Sequence, residues 1–191
     1  MERKYLYSGL ISPIIGFLFI GIAIYLNSSW WRITDNAISD LGNIYHSWVN
    51  YPWVLSAGLI IGGLGMTYFS YGLQKEFEGV AKWGIYVYLL GMIFLTLIGV
   101  FPEGTPPHWY VSWAFFLTAS FGILVGGVGF LLRYSRKMGM FSIALYVISW
   151  VLAVWVLRTF KGVAIAEFMG AITLFIWSYT TIFWNMRREK L

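Results

Sequence analysis

The chain has 191 residues, of which 59% are hydrophobic and only 11% charged, with a mean hydropathy of +0.72. Soluble domains carry about 25% charged residues, so this composition excludes a water-soluble globular protein and indicates a polytopic membrane protein. No cysteine is present, which excludes disulfides, thiol nucleophiles and thiolate metal sites.

Six apolar runs approach the roughly 20 residues that a helix needs to cross the hydrocarbon core. They cover residues 7–26, 53–73, 83–101, 111–132, 141–157 and 163–186. Backbone polar groups inside lipid must be satisfied within each segment. The predicted fold is therefore all-α: one integral membrane domain over residues 1–191, built as a six-transmembrane-helix bundle. The first run follows Glu2-Arg3-Lys4 like the core of a signal peptide. It is too long for that, and no Ala-x-Ala site follows, so it reads as a retained span.

The connection over residues 27–52 far exceeds the few residues that a helix hairpin requires. Within it Ile38, Leu41, Ile44 and Tyr45 recur at helical spacing. That pattern predicts a short interfacial helix between spans one and two, capped by Asp35 and carrying Ser39, Asp40 and Gly42. In the second span, Gly58 to Gly65 reads GLIIGGLG, and Gly122 to Gly129 in the fourth reads GILVGGVG. Both spans run in the same direction, so the repeat is parallel. Glycine is common in membrane helices, and shared ancestry and coincidence both account for it. The Gly58/Gly62 and Gly122/Gly126 pairs permit close helix approach.

The net charge of +5 reflects topology. Arg3, Lys4, Lys75, Lys82, Arg133, Arg136, Lys137, Arg187, Arg188 and Lys190 fall on one side of the membrane, and only Arg32, Arg158 and Lys161 on the other. This asymmetry predicts an integral protein of the cell membrane with both termini cytoplasmic. The C-terminal basic residues read as an orientation signal, and no nucleic acid is an expected partner.

Chemistry concentrates where the third span ends in Gly99-Val100-Phe101-Pro102-Glu103 and the fourth begins after Pro106-Pro107 with His108. The two prolines restrict the backbone before His108. Its imidazole is either a structural group at a helix start or a positioned ligand or general base. Ser112, one turn on, lies within range of a nucleophile–base pairing. Glu167 stands about one turn into the sixth span, where a lone carboxylate is costly. It either pairs with Arg158 or Lys161 or lines a cavity. Asp40 comes from a third loop at the same end. Asp40, His108 and Glu167 are the candidate catalytic residues and, as two carboxylates and an imidazole, a candidate ligand set for a divalent metal. Ser39, Glu103 and Arg158 are candidate ligand-binding residues. Asp40, Glu103, His108 and Glu167 are expected to share one polar cavity open to the outer leaflet, with Arg158 at its rim. His46, near tryptophans and tyrosines, reads as interfacial.

Ile38-Ser39-Asp40-Leu41-Gly42 after the first span, Gly99 to Glu103 closing the third and His108 opening the fourth resemble domain-of-unknown-function family 998. The resemblance implies a compact six-span prokaryotic membrane protein and singles out Asp40, Glu103 and His108; it implies no activity. Two functional classes follow from the residues. One is a binder of a lipid-like or small amphipathic ligand. The other is a membrane-embedded, metal-dependent hydrolase or transferase acting on a lipid-like substrate. Membrane lipid is the expected partner in either case, with oligomerisation left open.

Overall fold

The computed structural model describes residues 1–188, and these contain six long helices. They are α1 (Arg3–Leu26), α2 (Trp53–Leu73), α3 (Gly79–Val100), α4 (His108–Arg133), α5 (Arg136–Thr159) and α6 (Ala164–Arg188). Each is long and apolar enough to cross a membrane. Several begin earlier than the hydropathy pattern predicts: α1 at Arg3, α3 at Gly79 and α5 at Arg136. Charged residues end an apolar run without ending a helix, because a helix continues into the headgroup region. At α5 the Ser135 side chain caps the start by accepting from the Met138 N–H at 3.2 Å.

Exposed aromatic residues mark two levels along the bundle. Trp53 and Tyr71 stand at opposite ends of α2, as do Tyr7 and Tyr25 on α1. Each pair is about 27 Å apart at roughly 1.5 Å per residue, close to the hydrocarbon thickness of about 30 Å. One end of the bundle carries the α1–α2, α3–α4 and α5–α6 loops. The opposite end carries the N-terminus and the α2–α3 and α4–α5 connections.

Consecutive helices pack side by side, and α6 returns to touch α1 and α4. Between α3 and α4 the backbones meet. A Cβ at Gly84, Gly122 or Gly129 would overlap the backbone of Gly126, Tyr88 or Ala81 respectively, and one at Gly91 would lie 2.7 Å from the Ala119 nitrogen. The repeated glycines are not equivalent. Gly58 rests on the Phe19 side chain, whereas a Cβ at Gly62 would lie 3.5 Å from the Ser12 carbonyl and one at Gly126 3.7 Å from Trp177. Gly62 and Gly126 thus have room for a methyl group, and the obligate contacts fall on their neighbours. Polar links, buried or partly buried, join α6 to α3, α5 and α1. The Tyr88 and Ser178 hydroxyls are 2.9 Å apart, Trp177 Nε1 donates to Ser142 Oγ at 3.0 Å, and the Tyr179 hydroxyl donates to the Leu10 carbonyl.

The predicted interfacial helix is much shorter than its apolar spacing implied. A single 3-10 turn, Ser39–Gly42, stands in its place. Ile38 and Leu41 point inward against Ile20, Trp31, Val54 and Ala164, while Ile44 and Tyr45 are exposed. Asp35 does not cap the turn; it accepts from the Thr34 hydroxyl. Tertiary contacts hold this loop instead. Asn27 bridges Ala23 and Asn50, Trp31 Nε1 donates to Ala37, and Gly162 and Ala164 donate backbone N–H groups to Thr34 and Asn36. Gly162 is required there, because a Cβ would overlap the backbone of Asn36. The α5–α6 loop is thereby stitched to the α1–α2 loop.

Candidate functional site

The stitching places the first turn of α6 directly under the 3-10 turn. Glu167 Oε2 accepts the Ile38 N–H at 2.5 Å. Asp40 closes its own turn, with Oδ2 accepting from the Ala37 N–H at 2.8 Å and from Asn36 Nδ2 at 3.3 Å. Both carboxylates thus satisfy backbone donors that would otherwise face an apolar surround.

The third element is the α3–α4 connection. Helix α3 closes with Phe101 N–H on Leu97, and Pro102 cannot extend the ladder. Thr105 then folds back, its hydroxyl donating to the Pro102 carbonyl at 2.7 Å. Gly104 takes φ +93 beside the Tyr45 ring, a conformation suited to glycine. The result delivers His108 as the first residue of α4, almost fully buried. Its Nδ1 donates to the Phe101 carbonyl at 2.8 Å, and its Nε2 lies 2.8 Å from Glu103 Oε2. Ser112 Oγ is 3.3 Å from the same Nε2. A carbonyl on one ring nitrogen and a carboxylate on the other are matched when both nitrogens carry protons. The hydrogen bond with His108 holds the Glu103 carboxyl below the usual carboxylate range, burial opposes that shift, and Ser39 and the Gly104 N–H add to the lowering.

Asp40, Glu103, His108 and Glu167 line one cavity of about 480 Å³, together with Ser39 and Ser112. From this polar end the cavity continues as a cleft between α4, α5 and α6. One face of each helix contributes: Trp113 and Phe116 from α4, Tyr146 and Trp150 from α5, Gly170 and Leu174 from α6. The α4 residues involved extend from His108 to Ile123, about 23 Å at roughly 1.5 Å per residue. Midway, the Ser149 and Thr173 hydroxyls meet at 2.7 Å. A smaller cavity of about 130 Å³ lies on the other side of Phe116 and Leu174, toward α1, α2 and α3, and it also touches Ser39, Ser112 and Glu167.

Of the two readings of Glu167, lining the cavity is the one that matches its position. Glu167 forms no ion pair with Arg158 or Lys161 among the described residues; both cations are exposed, and neither lines the cavity. The loop stitching turns Glu167 toward Ile38 and away from the end of α5. Nor do Asp40, His108 and Glu167 make a metal-ligand set: no group of three His, Cys, Asp or Glu side chains suited to a metal ion occurs among the described residues. One atom of each already meets a backbone partner, Ala37, Phe101 or Ile38. His46 stacks on Trp48 at the exposed surface, away from the cavity. The aromatic and hydroxyl wall of the cleft escaped the sequence reading. Its trace there is the helical spacing of Tyr146, Ser149 and Trp150, polar and aromatic residues on one side of an otherwise lipid-like span, continued by Ala153 and Leu157.

No curated protein and no solved structure matches the chain. A family model described as "Protein of unknown function (DUF998)" matches residues 10–184, nearly the whole membrane domain and every residue of the polar cluster, and the chain belongs to that family.

Proposed function

We propose that this protein binds a lipid-like or small amphipathic molecule, with the polar head among Ser39, Asp40, Glu103, His108 and Glu167 and the apolar part along the α4–α5–α6 cleft. One observation carries this reading: a cavity of about 480 Å³ that is apolar and aromatic along its length and ionisable at a single end. Ligand pockets typically measure about 300–1,000 Å³ and combine apolar walls with a few placed polar groups. The excess of Lys and Arg at the end carrying the termini supports a cytoplasmic location for both termini. The polar mouth then faces the outer leaflet.

The hydrolase or transferase reading draws on Ser112 near His108. It is the weaker one, because Glu103 and Ser112 share a single ring nitrogen while the other is held by the Phe101 carbonyl. A nucleophile–base–orienter arrangement needs the serine and the carboxylate on opposite nitrogens.

Photolabelling tests the binding reading. A single-chain alkyl probe with a terminal diazirine, incorporated into proteoliposomes, should label peptides containing Phe116, Tyr146 and Trp150. Ala153→Trp, which fills the cleft from α5, should abolish that labelling. Equal labelling of the lipid-exposed Val147, Ile148 and Val151, unchanged by Ala153→Trp, would overturn it.

A further inference from the structure

We infer that the polar end of the cleft selects a primary ammonium head and rejects phosphate and carboxylate heads; this rests on the amphiphile reading above and names its ligand class. The carboxyl and imidazole groups lining the cavity are Asp40, Glu103, Glu167 and His108. Three carboxylates face one imidazole, and the imidazole is already paired with Glu103. Asp40 and Glu167 have no cationic partner among the described residues. Each uses one oxygen, Oδ2 or Oε2, to accept a backbone N–H, and no hydrogen bond from a described residue reaches Asp40 Oδ1 or Glu167 Oε1.

The cations nearest in sequence offer no compensation. Arg158 and Lys161 are exposed and do not line the cavity. Arg32 spends its Nη1 on the Ser28 and Trp31 carbonyls. A phosphate or carboxylate entering this end would meet carboxyl groups that have no cationic partner, and in a poorly solvated site repulsion from an ionised carboxylate is strong. A primary ammonium brings three N–H donors and a positive charge, matched to two open carboxylate oxygens. Ser39 and Ser112 add hydroxyl acceptors at the same end. The apolar walls from Trp113 to Leu174 accept an alkyl chain and offer no further charge.

Native mass spectrometry of the full chain, released from a nonionic detergent, separates the outcomes. Dodecylamine, dodecanol and dodecyl phosphate share one chain and differ in head. At equal concentration the amine should bind at least about tenfold more tightly than either of the others, a difference of about 1.4 kcal/mol. Asp40→Asn combined with Glu167→Gln keeps an amide oxygen for each backbone N–H, so the turn is preserved. This double variant should bind dodecylamine no better than dodecanol, while still binding dodecanol. Dodecyl phosphate binding as tightly as dodecylamine, or a double variant that retains the amine preference, would overturn the headgroup inference and leave the cleft intact. Failure of all three probes to bind would overturn the amphiphile reading with it.

Discussion

Helix α4 has two unlike sides. Toward α3 it presents Gly122, Gly126 and Gly129 and lies so close that backbone meets backbone. Toward α5 and α6 it presents Trp109, Trp113 and Phe116 and stands back from a cleft. The neighbours differ accordingly. Helix α3 buries residues along its whole length, from Ala81 to Gly99, whereas α5 buries Met138, Gly139 and Ser142 near its start and Val156 near its end, with nothing fully buried between. Small residues let helices close, and van der Waals contact then holds them without any hydrophobic drive between them. On the other side Trp113 and Phe116 line a space that α5 and α6 do not fill, and that space is the cleft. The sealed side closes backbone on backbone; the open side leaves a cavity of about 480 Å³.

The sealed side should be the easier to break. Gly122→Leu forces a side chain into the backbone of Tyr88, and overpacking of this kind costs about 3 kcal/mol or more. For a protein of this size that corresponds to a fall of roughly 6–12 °C in detergent melting temperature. Gly126→Ala, with its nearest neighbour at 3.7 Å, should melt within about 2 °C of wild type. Equal melting of the two variants would erase the distinction between a tight and an open register on α4.

A smaller loss is expected at the polar mouth. Glu103 and His108 form a partly buried pair, with the Glu103 side chain 33% exposed. Glu103→Gln should therefore cost about 1–2 kcal/mol, between the values typical of surface and buried pairs. The pair also sets an acid limit. The Glu103 carboxyl titrates lower in the folded protein than its ordinary value of 4.5. Its contribution is fully present above pH 4.5 and is lost as pH falls through the lowered folded value. Melting temperature in acid should therefore fall less steeply for Glu103→Gln than for wild type. Parallel curves below pH 4.5 would remove the pair from the stability of the mouth.

The smallest effect sharpens the account of the open side. Ser149→Ala removes the hydroxyl that meets Thr173 across the cleft. Thr173 keeps its bond to the Met169 carbonyl, and interhelical hydrogen bonds in membranes contribute only about 0.6 kcal/mol on average. Melting should change by no more than about 2 °C, while crosslinking between cysteines placed at Ala153 and Ala166 across the cleft should slow measurably. A large drop in melting temperature would mean that this contact, rather than the ends of α5, holds the wall in place.

The six spans, the helical class and the charge asymmetry were legible in the sequence because each depends on local composition. A run of apolar residues must become a helix in lipid whatever its neighbours do. The four ionisable groups of the mouth were legible for a related reason: Asp40, Glu103, His108 and Glu167 stand out where charge is scarce. Their partners were not. Glu167 looked toward Arg158 and Lys161 by proximity in sequence, yet it meets the Ile38 N–H, because Gly162 and Ala164 pair with the Thr34–Asn36 backbone and turn α6 beneath the 3-10 turn. The spacing of Ile38, Leu41, Ile44 and Tyr45 also promised a longer helix than the four-residue turn that forms, since loop stitching through Asn27, Trp31 and Gly162 decides that segment. Which glycines touch, and that α4 closes on α3 but opens toward α5, depend on helix rotation and approach. Composition settles what enters the membrane; only packing settles which faces meet there and which leave a space.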